Sequence, residues 1–582
     1  MKALRFFLLL FVLLINISVF AQQPTFNWMF GLDASQSSSL DDIAFDPAGN
    51  LVVIGNYLDT LDVDPGPGVT QMFSALGTSF VAKYDASGNY LWAEDFEYSS
   101  NTAIDASYAV ACSGTGDIYV VGTYDYNMDL DPGPGSVPVS TLGTNAVFLV
   151  KLDVNGNFIW GHSFESPNGL DVADVTTDNT GAVYFCGSFS DSVDFDPGPA
   201  VYNLYAYPTT FSYITKLDAN GNFVWAHAQG GGYTNDLALK VLTDNNDNLY
   251  MTGYFNGTMD VEPGPGITNL STPSNSPNIY IQKFTPGGAL IWAGSISTNG
   301  PQYGRDMTID DQNNIVVSAE YTELTDVDMG PGTSYINTLV SPNVDAYAAK
   351  YDSSGALLWV TTLNDTAQYV ERCYEVTFDS QGSLFMTGIF HNTIDFDPGP
   401  GVVNVSTDTA NPSVADTYIL KLDVNRNFEW VGVIESTYGP VYTQAMEAGP
   451  NDQIYFVGGV SDTADMDPNS GVVNLISPPF TGIPYMLCLN NGLSTNISHN
   501  PVVDMMGVQL YPNPSKDKVT IDLGKVYNRT ELVLTDVNGK LIQQQQLDAA
   551  DTYRLQLPES PGVYFVHLKV DGFRKVLKVV KE

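Results

Sequence analysis

The sequence predicts an all-β chain: a seven-bladed β-propeller over residues 24–491, closed by an N-terminal strand, with a small C-terminal β-sandwich domain behind it. Three observations predict this. All seven tryptophans fall in one series, Trp28, Trp92, Trp160, Trp225, Trp292, Trp359 and Trp430, at spacings of 64, 68, 65, 67, 67 and 71 residues. A second series of seven acidic Pro-Gly motifs runs between them, from LDVDPGPG at Leu61 to the degraded ADMDPNSG at Ala464. The first and last units are each incomplete, and each holds what the other lacks.

Self-similarity at a fixed period outranks local patterns as a fold signal, because one supersecondary unit is being copied. Each period holds four strand-like runs. In the first they are 42–45, 51–57, 80–84 and 90–96. Asp46-Pro47-Ala48-Gly49-Asn50 joins the first two and Asp85-Ala86-Ser87-Gly88-Asn89 the last two. Both are tight hairpin turns of Asp, Gly and Asn. Four antiparallel strands per unit make a propeller blade, and seven blades fall within the usual range for a closed ring.

The ends supply the closure. The seventh unit offers runs at 445–447, 453–460 and 485–489, then stops at Asn490-Asn491-Gly492 with no Trp-bearing fourth strand. Thr25-Phe26-Asn27-Trp28-Met29-Phe30 is such a strand without a blade. Pairing the two satisfies both and removes an exposed edge. The blades resemble the bacterial β-propeller repeats known as SBBP repeats. Ile118-Tyr119-Val120-Val121-Gly122 and the run from Phe148 to Asn157 (FLVKLDVNGN) carry the resemblance. It covers roughly residues 24–491 and implies architecture rather than activity.

Lys2 and Arg5, the apolar stretch 6–20 and the small-residue end Val19-Phe20-Ala21 read as a signal peptide over residues 1–21. No later run has the length of a transmembrane helix, so a mature chain without a membrane span is expected. The four cysteines, Cys112, Cys186, Cys373 and Cys488, form no CxxC pair and suggest isolated, buried thiols. Charge is uneven. Residues 1–507 carry 12 Lys+Arg against 56 Asp+Glu, and residues 508–582 carry 11 against 9. A surface this acidic repels nucleic acid and anionic lipid. It suits cations or simple solubility.

Residues 492–507 break the repeat and read as a linker. Beyond it Leu510-Tyr511-Pro512-Asn513-Pro514, the Asp536-Val537-Asn538-Gly539-Lys540 turn, the strand from Gly562 to Leu568 and the basic last strand from Lys575 follow in order. These motifs are similar to the C-terminal sorting domain of the type IX secretion system. The resemblance places that domain at residues 508–582 and implies a Bacteroidetes protein. It also implies that residues 508–582 engage the secretion machinery, and that the chain is released or anchored at the cell surface after removal of the domain.

Successive connections in an antiparallel blade alternate between its two ends. The short turns therefore share one face, and the long second-to-third loops share the other with the blade-to-blade connections. The long-loop face is the expected interaction face, for a glycan or protein ligand. The acidic motifs open those loops. Their paired carboxylates are Asp62/Asp64, Asp129/Asp131, Asp194/Asp196, Asp260/Glu262, Asp326/Asp328, Asp395/Asp397 and Asp465/Asp467. Alternate residues of an extended chain point the same way, so each pair is a candidate for calcium. The competing reading, which the sequence favours, is an Asp-capped Pro-Gly turn. The tryptophans suit packing between blades. Lys83, Lys151, Lys216, Lys283, Lys350 and Lys421 share one repeat position and suggest a recurring ion pair.

His162, His227, His391, His499 and His567 belong to no H-x-H, H-E-x-x-H or G-x-S-x-G motif. The sequence nominates no catalytic or cofactor-binding residue. It points to a non-catalytic binding protein at the cell surface or outside it. The alternative is an extracellular polymer-degrading hydrolase or lyase on the same scaffold.

Overall fold

A computed structural model describes residues 23–491 and 509–581, apart from 67, 97–105, 142–144, 232–235, 265, 274–275, 339–343, 365–369, 408–413, 437–440, 462, 478–481, 512–514, 528–529, 537–539, 548–549, 559 and 571–572. The signal-peptide stretch, the linker, Pro512-Asn513-Pro514 and the middle of the 536–540 turn lie outside the described residues. The chain divides into two compact units, Met1–Gly492 and Leu493–Glu582. The described residues are strands and turns, with no helix.

In the first unit each repeat folds into four antiparallel strands hydrogen-bonded in chain order. The sets are Ser38–Phe45, Leu51–Asp62, Gln71–Tyr84 and Tyr90–Asp95; Ala106–Cys112, Ile118–Tyr124, Ala146–Leu152 and Phe158–Phe164; Leu170–Thr177, Val183–Asp194, Asn203–Leu217 and Phe223–Gln229. Then come Leu237–Thr243, Leu249–Phe255, Asn278–Phe284 and Leu290–Thr298; Gln302–Ile309, Ile315–Tyr321, Asp345–Tyr351 and Leu357–Leu363; Glu375–Phe378, Leu384–Phe390, Asp416–Leu422 and Phe428–Ser436. The seventh set is Tyr442–Ala448, Gln453–Val460 and Ile483–Asn490, completed by Thr25–Gly31 from the N-terminus. Trp28 stands opposite Cys488 in that last ladder. The expected pairing of the chain's two ends is therefore observed.

The first strand of each set lies against the first strand of the next, and the seventh, Tyr442–Ala448, lies against Ser38–Phe45. Hydrophobic cores follow the same cyclic order. Each joins two consecutive sheets, and one joins the seventh to the first through Tyr455, Val457, Leu40, Val53 and Tyr84. No sheet buries both faces by itself, so each depends on its neighbours.

Tryptophan and lysine make the recurring link between sheets. Trp92 packs on Gly156 of the next sheet's last turn, which has φ +86°, and a Cβ there would lie 3.0 Å from the indole. Only glycine meets that requirement without strain. In the sixth sheet Arg426 takes the same turn position at φ 67°, and its guanidinium donates back to the Val360 carbonyl of the fifth.

Each lysine of the third strand pairs with an aspartate of its own sheet's first turn, which caps that turn in every sheet but the second, where Ser113 does so. The pairs are Lys83–Asp46 (2.7 Å), Lys151–Asp117 (2.8 Å), Lys216–Asp178 (3.1 Å), Lys283–Asp244 (3.0 Å), Lys350–Asp310 (2.7 Å) and Lys421–Asp379 (3.6 Å). The ammonium also reaches the next sheet, donating from Lys83 to Val154 O and from Lys151 to Ala219 O. Trp160 Nε1 donates to the same Ala219 carbonyl.

The expected ion pair is thus present in six sheets, and the seventh shows why it must be lost whole. Cys488 and Gly449 stand where the lysine and aspartate would be, leaving no unpaired buried charge. There Tyr455 Oη donates to Ala86 O of the first sheet in the ammonium's place.

In the second unit Gln509–Tyr511, Lys518–Tyr527 and Ala550–Gln556 form one sheet. Leu541–Leu547, Thr530–Asp536, Gly562–Val570 and Phe573–Lys581 form the other. Val519, Ile521, Leu534, Leu555, Val566 and Val579 share one core.

Removing one partner of a buried ion pair strands the other in the interior, at a cost of about 3–5 kcal/mol. Lys283→Met is therefore expected to destabilise by that order. Adding Asp244→Asn, whose amide oxygen can still accept the turn amides of Asn246 and Asn248, should restore part of the loss. Chemical denaturation of the two variants checks this; a double variant no more stable than Lys283→Met would contradict it.

Candidate functional site

The fourteen carboxylates of the D-x-D motifs are held apart, each pair within its own hairpin. In every copy the first carboxylate accepts the amides two and eight residues on: Asp62 from Asp64 N (3.1 Å) and Thr70 N (2.9 Å), and likewise Asp129, Asp194, Asp260, Asp326, Asp395 and Asp465. The second caps the turn, Asp64 accepting from Gly66 N at 2.8 Å, with Asp131, Asp196, Asp328, Asp397 and Asp467 doing the same. Glu262, one carbon longer, takes the Thr268 hydroxyl instead.

The residue between each pair is buried: Val63, Leu130, Phe195, Val261, Val327, Phe396 and Met466. Several hairpins dock on the end of the preceding sheet's last strand, with Asp326 opposite Ser297, Asp465 opposite Glu435 and Asp260 bridging Gly230. The motif therefore works as a clasp between sheets. Among the described residues no group of three or more His, Cys, Asp or Glu side chains is arranged to hold a metal ion.

A different set of side chains converges where the first strands meet. Six of these strands bulge at one step, and the residue after the bulge is Asp42, Ala109, Asp174, Lys240, Asp306 or Ala445. Glu375 holds the equivalent place in the sixth sheet. Three of the carboxylates tie their sheet to the next: Asp42 accepts Val110 N (2.8 Å), Asp174 accepts Val241 N (2.8 Å) and Asp306 accepts Val376 N (3.0 Å). Lys240 lies between Asp174 (3.8 Å) and Asp306 (3.7 Å). Burial opposes its charge, but Asp174, Asp306, Asp42 and Glu375 outweigh that and keep the ammonium protonated.

The carboxyls also hold their protons more tightly, which for them favours the neutral form. Burial pushes Asp174 up to about 7 against the pull of Lys240. It also raises Asp42, and it raises Glu375 well above the usual range. Glu447, two residues beyond Ala445, still meets solvent. Withdrawal from bulk water nevertheless pushes its carboxyl up to about 7, with Lys240 opposing and Asp306 and Asp42 adding to the rise.

Toward the ends of these sheets from which the D-x-D hairpins extend, two arginines share one carboxylate. Arg305 donates to Glu320 Oε1 through Nη2 (2.7 Å) and Nε (2.8 Å), and Arg372 Nε lies 3.6 Å from the same oxygen. The Arg305 guanidinium lies over the Tyr374 ring at 5.9 Å, and Tyr374 meets Tyr442 at 6.4 Å between ring centroids. Tyr303, opposite Glu320 in the ladder, makes an edge contact with Tyr254. Tyr303 and Tyr442 are exposed.

Sequence reasoning missed this group. Its signal was departure from the repeat, since Asp, Ala, Lys and Glu alternate at a position where a pure scaffold would keep one residue.

The unfolded value of a Glu is about 4.3, below the value Glu447 has in the fold. As pH rises from 4 to 8 the folded chain must give up that proton at a cost, whereas a Gln has none to give up. The melting temperature of Glu447→Gln minus that of the unsubstituted chain should therefore grow from pH 5 to pH 8. A difference that stays flat across that range would contradict the assignment.

Comparison with known proteins adds the following. Residues 509–582 match the family model described as a secretion system C-terminal sorting domain. The chain is 22% identical over 492 residues to an uncharacterized WD repeat-containing protein of Acanthamoeba polyphaga mimivirus, covering 72% of this chain. It spans only 35% of that relative's length. A crystal structure of a protein of unknown function from Bacteroides caccae aligns with 60% of this chain and 89% of its own, at 9% identity and a TM-score of 0.28. The tail is the informative match: residues 509–582 carry the sorting domain by which the type IX secretion system exports a chain to the cell surface or the extracellular space.

Proposed function

We propose that the first unit is a seven-bladed β-propeller that acts, once exported, as a non-catalytic binding protein through the end carrying the D-x-D hairpins. One observation supports this above the others. Residues that repeat, namely the Trp, the Lys–Asp pair and the D-x-D clasp, are used in joining sheets. Charged and aromatic residues that depart from the repeat gather at the ring's open end. Between residues 23 and 491 there are ten Lys and Arg. Six lysines lie in the repeated pairs and Arg426 holds a carbonyl of the neighbouring sheet. Lys240, Arg305 and Arg372 remain, all on or beside the first strands of three consecutive sheets.

In this reading the paired carboxylates of the hairpins are clasps, and calcium is not required for binding. The alternative, an extracellular polymer-degrading hydrolase or lyase, would draw on Asp174 and Glu447. A carboxyl that titrates near neutrality is suited to exchanging a proton at physiological pH. Incubating the chain with immobilised extracellular polysaccharides, with and without chelator, separates the two. Retention that survives chelator and releases no new chain ends is expected. Release of new ends that Glu447→Gln abolishes would replace the binding reading with the enzymatic one.

A further inference from the structure

We propose that the cluster of Arg305, Arg372, Glu320, Tyr303, Tyr374 and Tyr442 is a binding site for an acidic saccharide, a sugar ring bearing a carboxylate. The inference rests on the binding reading above and names the ligand class of that end.

Charge supplies the first half of the argument. Two guanidinium groups converge on the one carboxylate of Glu320, so two cations share a single ion-pair partner within a unit that is otherwise strongly acidic. Arg305 already spends two donors on Glu320. Arg372 does not: its Nε is shielded from solvent and makes no hydrogen bond among the described residues, while its side chain remains 37% exposed. The exposed part of its guanidinium is therefore the part open to a ligand. The planar fork of arginine fits a carboxylate through two parallel hydrogen bonds. The unit's remaining carboxylates do not forbid such a ligand, because at physiological ionic strength exposed charges beyond about 8 Å are largely screened.

Aromatic geometry supplies the second half. Tyr303 and Tyr442 are 40% and 44% exposed. Tyr442 also packs against the Tyr374 ring, over which Arg305 lies, so Tyr374 stands between the exposed tyrosine and the guanidinium. Rigid aromatic faces next to fixed donors suit a flat, partly apolar ring that carries hydroxyls and one charge. A neutral sugar would bring no carboxylate to the exposed part of Arg372, and a flexible acidic peptide would leave the tyrosine faces uncovered.

The test is calorimetric titration of the full chain with three probes: an oligogalacturonate, a neutral gluco-oligosaccharide of equal length and an oligoglutamate of equal charge. The oligogalacturonate should bind at least tenfold more tightly than either of the others. Arg372→Gln and Tyr442→Ala should each weaken it tenfold or more without moving the melting temperature. Arg372→Lys, which keeps the charge and loses the fork, should recover only part of the affinity.

Equal binding of the neutral oligosaccharide or of the oligoglutamate overturns the proposal, as does failure of all three probes. Oligogalacturonate binding that ignores both substitutions overturns this site while leaving the binding reading standing. The polysaccharide retention experiment tests that reading on its own.

Discussion

The structure depends on one constraint: no sheet in the first unit can satisfy its own surfaces. Each presents apolar faces to both neighbours, and six of the seven carry a buried lysine whose ammonium needs an acceptor. The Lys–Asp pair answers this twice over, because in five of the six sheets the aspartate that neutralises the ammonium also ties down the first turn. The same ammonium can then hold a carbonyl of the next sheet, as Lys83 and Lys151 do. Burial alone would raise the Asp46 carboxyl, but hydrogen bonds from Lys83 and Asn50 prevail and hold it below its ordinary value. Where the pair cannot form, in the seventh sheet, both partners are gone together and a neutral tyrosine makes the crossing contact.

The D-x-D clasp follows from the same need. A long hairpin would otherwise leave backbone amides unsatisfied at the rim. The first carboxylate of each pair binds two of them six residues apart, and the buried residue between the carboxylates anchors the hairpin in the core between sheets. The glycines belong to this arrangement. At Gly68, Gly135 and Gly401 a Cβ would lie within 2.2 Å of an oxygen of the motif's own second aspartate.

The fold was legible because repetition makes weak local signals additive. Seven tryptophans in register and two complementary broken ends predicted both the sheets and the pairing of Thr25–Gly31 with Ile483–Asn490. The strands flanking the long loops were underestimated: those expected at 51–57 and 80–84 extend to Leu51–Asp62 and Gln71–Tyr84, because the hairpin continues their ladder. The converging site was illegible for the converse reason. Asp42, Asp174, Lys240, Asp306 and Glu375 are scattered over more than 300 residues, and no short motif links them. Only the packing of first strand against first strand brings them together, and the bulge beside all but Glu375 is a backbone feature without a residue signature. Arg305, Arg372 and Glu320 could have been found by subtraction, as the charges left once the repeated ones are assigned to the scaffold.

Pairing of the first and last strands of this unit is therefore the central claim, since the converging site depends on it. Asn27 Nδ2 lies 3.5 Å from Cys488 Sγ although the two residues are 461 positions apart. Asn27→Cys would set a second thiol beside the first. Mass spectrometry of this variant after mild oxidation should find a peptide pair cross-linked between positions 27 and 488. Two separate, alkylatable thiols in the folded chain would show that the ends do not pair and that the ring is open.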